Sequence, residues 1–272
     1  MLTPALFFAS DPVADPELFG PAGLFAADQP VWQALARLRN YLDGRDYPAL
    51  PGIGPDSAGP LPRTLVLHGG AVIAGEECAI AFGDATKGKL LVRRQGELLA
   101  GATVLMAGAV LMGTRFAFGQ GVLVESGALL KEPAIIGDQS EIRQGAYLRG
   151  YCLIGRRCVV GHVTEVKHTI FLDDAKAGHF AYLGDSILGR AVNLGAGTKL
   201  ANLRFQGGEV RVRCNGESIG TGLKKLGAII GDQSQTGCNS VTNPGALLGK
   251  KCLLPPNTTA PSGYHRDHTV IR

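Results

Sequence analysis

The chain has 272 residues, 45% of them hydrophobic, with 39 glycines and a formal net charge of +4. The charge is mild and scattered, with no run of lysine or arginine, which argues against a nucleic-acid partner. No stretch approaches the apolar length of a membrane span, and Met1–Ala9 lacks the basic start and long apolar run of a secretion signal, so a cytoplasmic protein is expected.

Residues 1–28 are rich in Pro, Phe and Asp and read as an extended arm. Asp28 is placed to cap a helix from Gln29 to Leu42, whose Trp32, Leu35, Leu38 and Leu42 make one apolar face. That helix is expected to dock on an end of the main domain and cover strand edges there. A Pro/Gly linker, Pro48 to Pro62, leads into the first strands. The expected division is therefore 1–62 for arm, helix and linker, and 63–272 for the main domain.

From Ile136 an aliphatic residue recurs every six positions: Ile142, Leu148, Ile154, Val160, Val166 and Leu172. Four residues after each of the first five stands a small side chain: Ser140, Ala146, Cys152, Cys158 and Thr164. The beat slips by four across Asp173–Ala181, which holds His179, and resumes at Tyr182, Leu188, Leu194 and Leu200. Upstream it runs through Leu99, Leu105, Leu111, Ala117, Leu123 and Leu129, then shifts by one; Arg115 breaks the small position there. Downstream it runs through Ile230, Thr236, Thr242, Leu248 and Leu254. A fixed short period marks a solenoid, an all-β prism with six residues per wall and three walls per coil. The hexads amount to about seven coils. Between Ala201 and Leu226 they stop, and a polar loop bearing Arg204, Arg211, Arg213, Lys224 and Lys225 is inserted. A long insertion in a regular scaffold is where function is expected.

Cys152, Cys158 and Cys252 fall in the small slot of the repeat and read as packing residues. No C-x-x-C pair exists, so no metal site is expected, and the cysteines fit a reducing compartment. Arg149, Lys167, His179, Tyr182, Asn193 and Asn202 are polar residues in otherwise apolar coils. Arg149 and Lys167 lie one coil apart with no acidic partner in phase, an arrangement that would cradle a phosphate.

The stretches G-A-Y-L-R-G, E-V-K-H, K-A-G-H-F-A-Y-L-G-D-S and V-N-L-G-A-G-T-K-L-A-N within Tyr147–Asn202 closely resemble the acetyltransferase domain of bifunctional N-acetylglucosamine-1-phosphate uridyltransferases. They also resemble the tails of related sugar-phosphate nucleotidylyltransferases. The resemblance is fair over Lys225–Thr259 and weak before residue 97. It implies a left-handed parallel β-helix, a homotrimer with the active site between subunits, and acetyl-coenzyme A as acyl donor without a metal. By position, His179 matches the general base that takes a proton from the sugar's amino group as it attacks the thioester, a task suited to an imidazole near pH 7. Arg149 and Lys167 match cations that hold a sugar 1-phosphate, Tyr182 and Asn193 match sugar contacts, and Asn202 matches a residue facing the reacting centre. Ala196, Cys238 and Pro256 fall where the family lines its coenzyme A groove, with Cys238 in place of a common serine. Lys224 or Lys225 stands in for a loop lysine that helps bind phosphate.

Two departures are instructive. Where the family continues N-Y-D-G with a short basic loop, this chain reads Asn202-Leu-Arg-Phe and inserts the segment to Lys225. Nothing before residue 97 resembles the glycine-rich opening of a nucleotidyl-transfer domain, so nucleotidyl transfer is not expected. The expected activity is N-acetylation of glucosamine or galactosamine 1-phosphate in nucleotide-sugar synthesis. The alternative is a non-catalytic oligomerising or regulatory subunit of a separate nucleotidylyltransferase.

Overall fold

The computed structural model describes residues 1–9, 23–54 and 59–272. Within each coil strand, residues alternate inward and outward, so a small residue and the aliphatic one two positions later both point into the prism. Ala134 with Ile136, Ser140 with Ile142 and Ala146 with Leu148 are such pairs, all buried. Three walls result, each holding eight parallel strands stacked coil on coil. The first wall starts with Thr103–Leu105, the second with Val110–Met112 and the third with Phe116–Phe118. Val270 bridges Leu253 in parallel and begins a ninth turn. The solenoid thus has eight complete coils and the start of a ninth, where the hexad count indicated about seven.

The register explains the difference, because not every coil has the same length. Leu105 pairs with Val124 and Leu111 with Leu130, whereas Phe118 pairs with Ile136. One extra residue therefore lies between Leu111 and Phe118, where Arg115 turns outward. Val124 and Leu130 point inward, so the expected inward Ala117, Leu123 and Leu129 do not. A second departure shortens the coil: Ile154 pairs with Phe171, Val160 with Ala177 and Val166 with Leu183. The inward residues are Phe171 and Leu183 in place of Leu172 and Tyr182, and no phase break occurs at His179. Two five-residue intervals, Val166 to Phe171 and Leu183 to Leu188, account for what reads in the sequence as one slip of four.

The first coil is closed by an antiparallel hairpin, Leu65–His68 with Ala71–Ala74, which pairs with Thr103–Leu105. Ile53 enters the core there, and Leu50, Leu61, Leu65 and Leu67 pack against it. The hairpin, with Leu50, Ile53 and Leu61 beside it, and not the helix, covers that strand edge. The helix spans Gln33–Asp43 rather than starting at Gln29, and Trp32, not Asp28, occupies its N-cap position. Pro30 forces Gln29 out of the helical region. The helix lies flat on the outside of the third wall. Its Ala34, Leu35, Leu38 and Leu42 join Phe7, Phe8 and Trp32 against Leu153, Ile170, Ile187, Ile229 and Leu247. Each large apolar side chain buried in this way contributes about 1.5–3 kcal/mol. The 201–226 insertion, expected as a polar loop, contains a hairpin of Arg211–Cys214 and Glu217–Gly220. Its Val210 and Val212, with Leu226, belong to the same cluster. The third wall is therefore roofed by Phe7, Phe8, the helix and the insertion, and the insertion reaches the second wall beside Val241.

Candidate active site

The corner joining the first wall to the second is built the same way in successive coils. The carbonyls of His162, His179, Ala196 and Cys238 accept the N–H groups of Phe180, Gly197, Asn239 and Asn257 at 2.8, 3.0, 2.8 and 2.9 Å. His162, His179, Ala196, Cys238 and Pro256 thus occupy one column, rising roughly 4.8 Å per coil. Cys238 is exposed. His179 ends the strand Lys176–His179, and its ring stacks on His162 with centroids 5.6 Å apart. Glycines make that approach possible: a Cβ on Gly161 would stand 1.7 Å from the carbonyl oxygen of Gly178. Beside the two histidines, Val163 and Phe180 have φ of 48° and 52° and are 57% and 60% exposed. A bulky or β-branched residue held in the left-handed region costs energy, here at a corner where Gly197, Asn239 and Asn257 adopt the same conformation in later coils.

Across the second wall from this column, a polar network gathers on Asp185. Its carboxylate accepts from Lys167 Nζ at 3.2 Å and from Asn202 Nδ2 at 2.6 Å, and meets His168 Nδ1 at 3.0 Å. The Tyr182 hydroxyl donates to Asn202 Oδ1 at 3.4 Å. Gly184 leaves room for this contact, since a Cβ there would stand 2.6 Å from the Tyr182 hydroxyl. Burial alone would raise the Asp185 carboxyl, but the His168 hydrogen bond, the Lys167 charge and the Asn202 amide outweigh it and hold Asp185 below its ordinary value. Burial raises the Tyr182 hydroxyl, as do the charges of Glu165 and Asp185. Arg149 donates to Glu165 at 2.7 Å, and that hydrogen bond holds the Arg149 guanidinium above its ordinary value. The expectation that Arg149 and Lys167 lack acidic partners is therefore overturned. Glu165 lies 16 residues from Arg149, out of phase with the repeat, whereas Asp185 lies 18 from Lys167, one sequence period on.

Arg149, Lys167, His168 and Asp185 line a pocket of about 520 Å³ that the helix closes with Arg39 and Asn40 and the insertion with Lys224 and Lys225. Both candidate loop lysines line it. Arg39 lies over the Tyr151 ring, 3.9 Å from its centroid. The structure thus brings Arg149, Lys167, Lys224 and Lys225 into one pocket, with Tyr182 and Asn202 joined to it through Asp185. His179, Ala196, Cys238 and Pro256 form the column on the other edge of the same wall. Asn193 stands apart from both: it is exposed on the first wall, paired with Lys176 and Gln235. Sequence reasoning passed over Asp185, His168 and Arg39. The first two lie inside the motifs G-D-S and V-K-H, so a signal existed; Arg39 reads as an ordinary helix surface residue. Among the described residues, no three His, Cys, Asp or Glu side chains gather as metal ligands. No helix there is long and apolar enough to cross a membrane.

Residues 130–219 match the GMPPB C-terminal domain family. Over 97 residues the chain is 41% identical to the bifunctional sugar-1-phosphate nucleotidylyltransferase/acetyltransferase of Sulfurisphaera tokodaii, covering 36% of this chain and 24% of that relative. It is 36% identical over 112 residues to the bifunctional protein GlmU of Methanococcus maripaludis, covering 41% and 27%. The GlmU of Trichodesmium erythraeum is 33% identical over 112 residues, covering 41% and 20%. The chain spans about a quarter of the length of the curated relatives it matches.

Proposed function

From coils that fit the left-handed β-helix acetyltransferase domain of GlmU-like proteins, we propose that this chain is an acetyl-coenzyme A dependent N-acetyltransferase acting on an amino-sugar 1-phosphate, glucosamine or galactosamine 1-phosphate. The observation that carries this reading is the corner column, in which His179 is followed coil by coil by Ala196, Cys238 and Pro256. An extended thiol arm lying along that column would bring its thioester to His179.

The acceptor then lies across the second wall. Its phosphate occupies the cationic pocket and its ring extends past Tyr182 along the second wall, so that the amino group comes within hydrogen-bond reach of His179. His179 takes a proton from the amino group. The freed nitrogen lone pair attacks the thioester carbonyl, a C–N bond forms, the C–S bond breaks, and the proton the nitrogen then sheds passes to the departing coenzyme A thiolate, while His179 releases its own to solvent. Direct attack by the amine needs no covalent enzyme intermediate. The cations act on binding, because the phosphate carries the same charge in ground and transition states. Asn202, held by Asp185 and Tyr182, is placed to orient the acceptor.

We further propose a homotrimer. An active site laid out on the open second wall needs a neighbour to close it and exclude water.

Thiol release from acetyl-coenzyme A, measured with a panel of amino-sugar 1-phosphates, tests the reading. Acceptor-dependent release with at least one of them is expected. Silence across the panel from a folded, trimeric preparation would favour instead a non-catalytic subunit of a separate nucleotidylyltransferase.

A further inference from the structure

The pocket between helix, corner and insertion contains more positive charge than its ion pairs use. Five permanently cationic side chains line it: Arg39, Arg149, Lys167, Lys224 and Lys225. Two of these are engaged, Arg149 by Glu165 and Lys167 by Asp185. Arg39, Lys224 and Lys225 have no acidic partner among the described residues. An anion entering the pocket meets these three without first having to break an existing pair. Each is held by a different means. Arg39 is carried on a helix whose Leu35, Leu38 and Leu42 are buried against the third wall, and its guanidinium lies on the Tyr151 ring. Lys224 and Lys225 are carried on the segment between the buried Thr221 and Leu226, where the insertion returns to the coil.

We infer that Arg39, carried on the helix outside the solenoid, joins Lys224 and Lys225 in holding a phosphate monoester in this pocket. This rests on the reading above for the identity of the acceptor, but the anion site itself does not depend on acetyl transfer. A monoester is favoured because three cations without acidic partners, from helix and insertion, line the pocket together with the Asp185 carboxylate. That carboxylate is a hydrogen-bond acceptor suited to a hydroxyl and would repel a second anionic group. The helix outside the solenoid therefore becomes part of the binding site, with Arg39 supplying a planar fork that lysine cannot reproduce.

The test uses the full chain and glucose 1-phosphate, which carries the phosphate but no amine to react. Binding is measured by calorimetry for the unaltered protein, R39A, R39K and the K224A/K225A double variant, with thermal melting to confirm that each is folded. R39A is expected to weaken binding about tenfold or more, R39K to recover only part of it, and the double lysine variant to weaken it comparably. Unphosphorylated glucose should bind none of them measurably. Equal binding by R39A and the unaltered protein overturns the inference, as does failure of the unaltered protein to bind at millimolar ligand. If Arg39-dependent binding is found in a protein that acetylates no amino sugar, the anion site stands and the acetyltransferase reading falls.

Discussion

The rings of His162 and His179 lie one above the other, 5.6 Å between centroids and 21° from parallel. They occupy the same position in adjacent coils, yet only His179 adjoins Ala196 and the rest of the column above it. The fold thus presents two imidazoles to one edge and gives one of them the neighbours proposed for the thioester.

His179→Ala is expected to lower turnover about 100-fold or more with little change in coenzyme A binding, because it removes proton transfer and not a binding contact. His162→Ala should cost far less. Steady-state thiol release for the two variants decides between them. Near-native turnover in His179→Ala, with loss in His162→Ala, would move the base one coil down.

Asp185 is buried among Lys167, His168 and Asn202, and its carboxyl is held below the ordinary value. A carboxylate of that kind adds stability that is fully present above its unfolded value, near pH 4, and lost as pH falls through the lower folded value. Asp185→Asn should therefore melt below the unaltered protein by the equivalent of about 1–3 kcal/mol at neutral pH. The gap should hold from pH 7 to about pH 5 and close below about pH 4. A gap that is constant down to pH 3 would show that the carboxylate's charge contributes nothing to the fold.

Val163 and Phe180 combine unfavourable backbone conformation with exposure. A surface at the foot of the proposed active site that keeps two large apolar side chains in strained positions is expected to meet a second copy. Phe180→Asp should shift the sedimenting species from trimer towards monomer at micromolar concentration and abolish activity with it. A monomeric unaltered protein that retains activity would rule out the shared site.

Cysteine reactivity offers an independent check on the column. Cys152 and Cys158 are fully buried; burial pushes the Cys152 thiol up to about 12 and Cys158 higher still, so neither should react in the folded protein. Exposed Cys238 should be the most rapidly alkylated, and acetyl-coenzyme A should protect it. Labelling of Cys238 that is indifferent to saturating acetyl-coenzyme A would remove this corner from the donor groove.

Much of the architecture was legible because the small and the aliphatic residue alternate inward within each strand. Ser140 with Ile142 and Cys152 with Ile154 stand at the same depth in the sequence pattern and in the prism. What the period concealed was the length of individual coils. A residue gained near Arg115 and one lost before Phe171 preserve the stack while breaking the count, so Leu172 and Tyr182 read as inward when they are not. The Arg149 ion pair was illegible for a related reason: Arg149 meets Glu165 diagonally across strands, 16 residues on, whereas Lys167 and Asp185 are 18 residues apart and their pairing was open to reading. Arg39 could not be found at all from periodicity, since its place beside the pocket follows from where its helix lies.

That placement has a consequence for synthesis of the chain. The backbone N–H of Ala9 donates to Asp232 at 2.8 Å, across 223 residues, and Asp232 N–H donates to the carbonyl of Phe7. Coils can stack one by one as they emerge, since each needs only its predecessor. The arm has no such neighbour. At roughly 5–20 residues per second, its apolar side chains wait about 10–45 s between leaving the ribosome and the arrival of the coil that receives them. During that interval Phe7 and Phe8 are exposed on a nascent chain, so this segment finds its place only after coils that are made later than it.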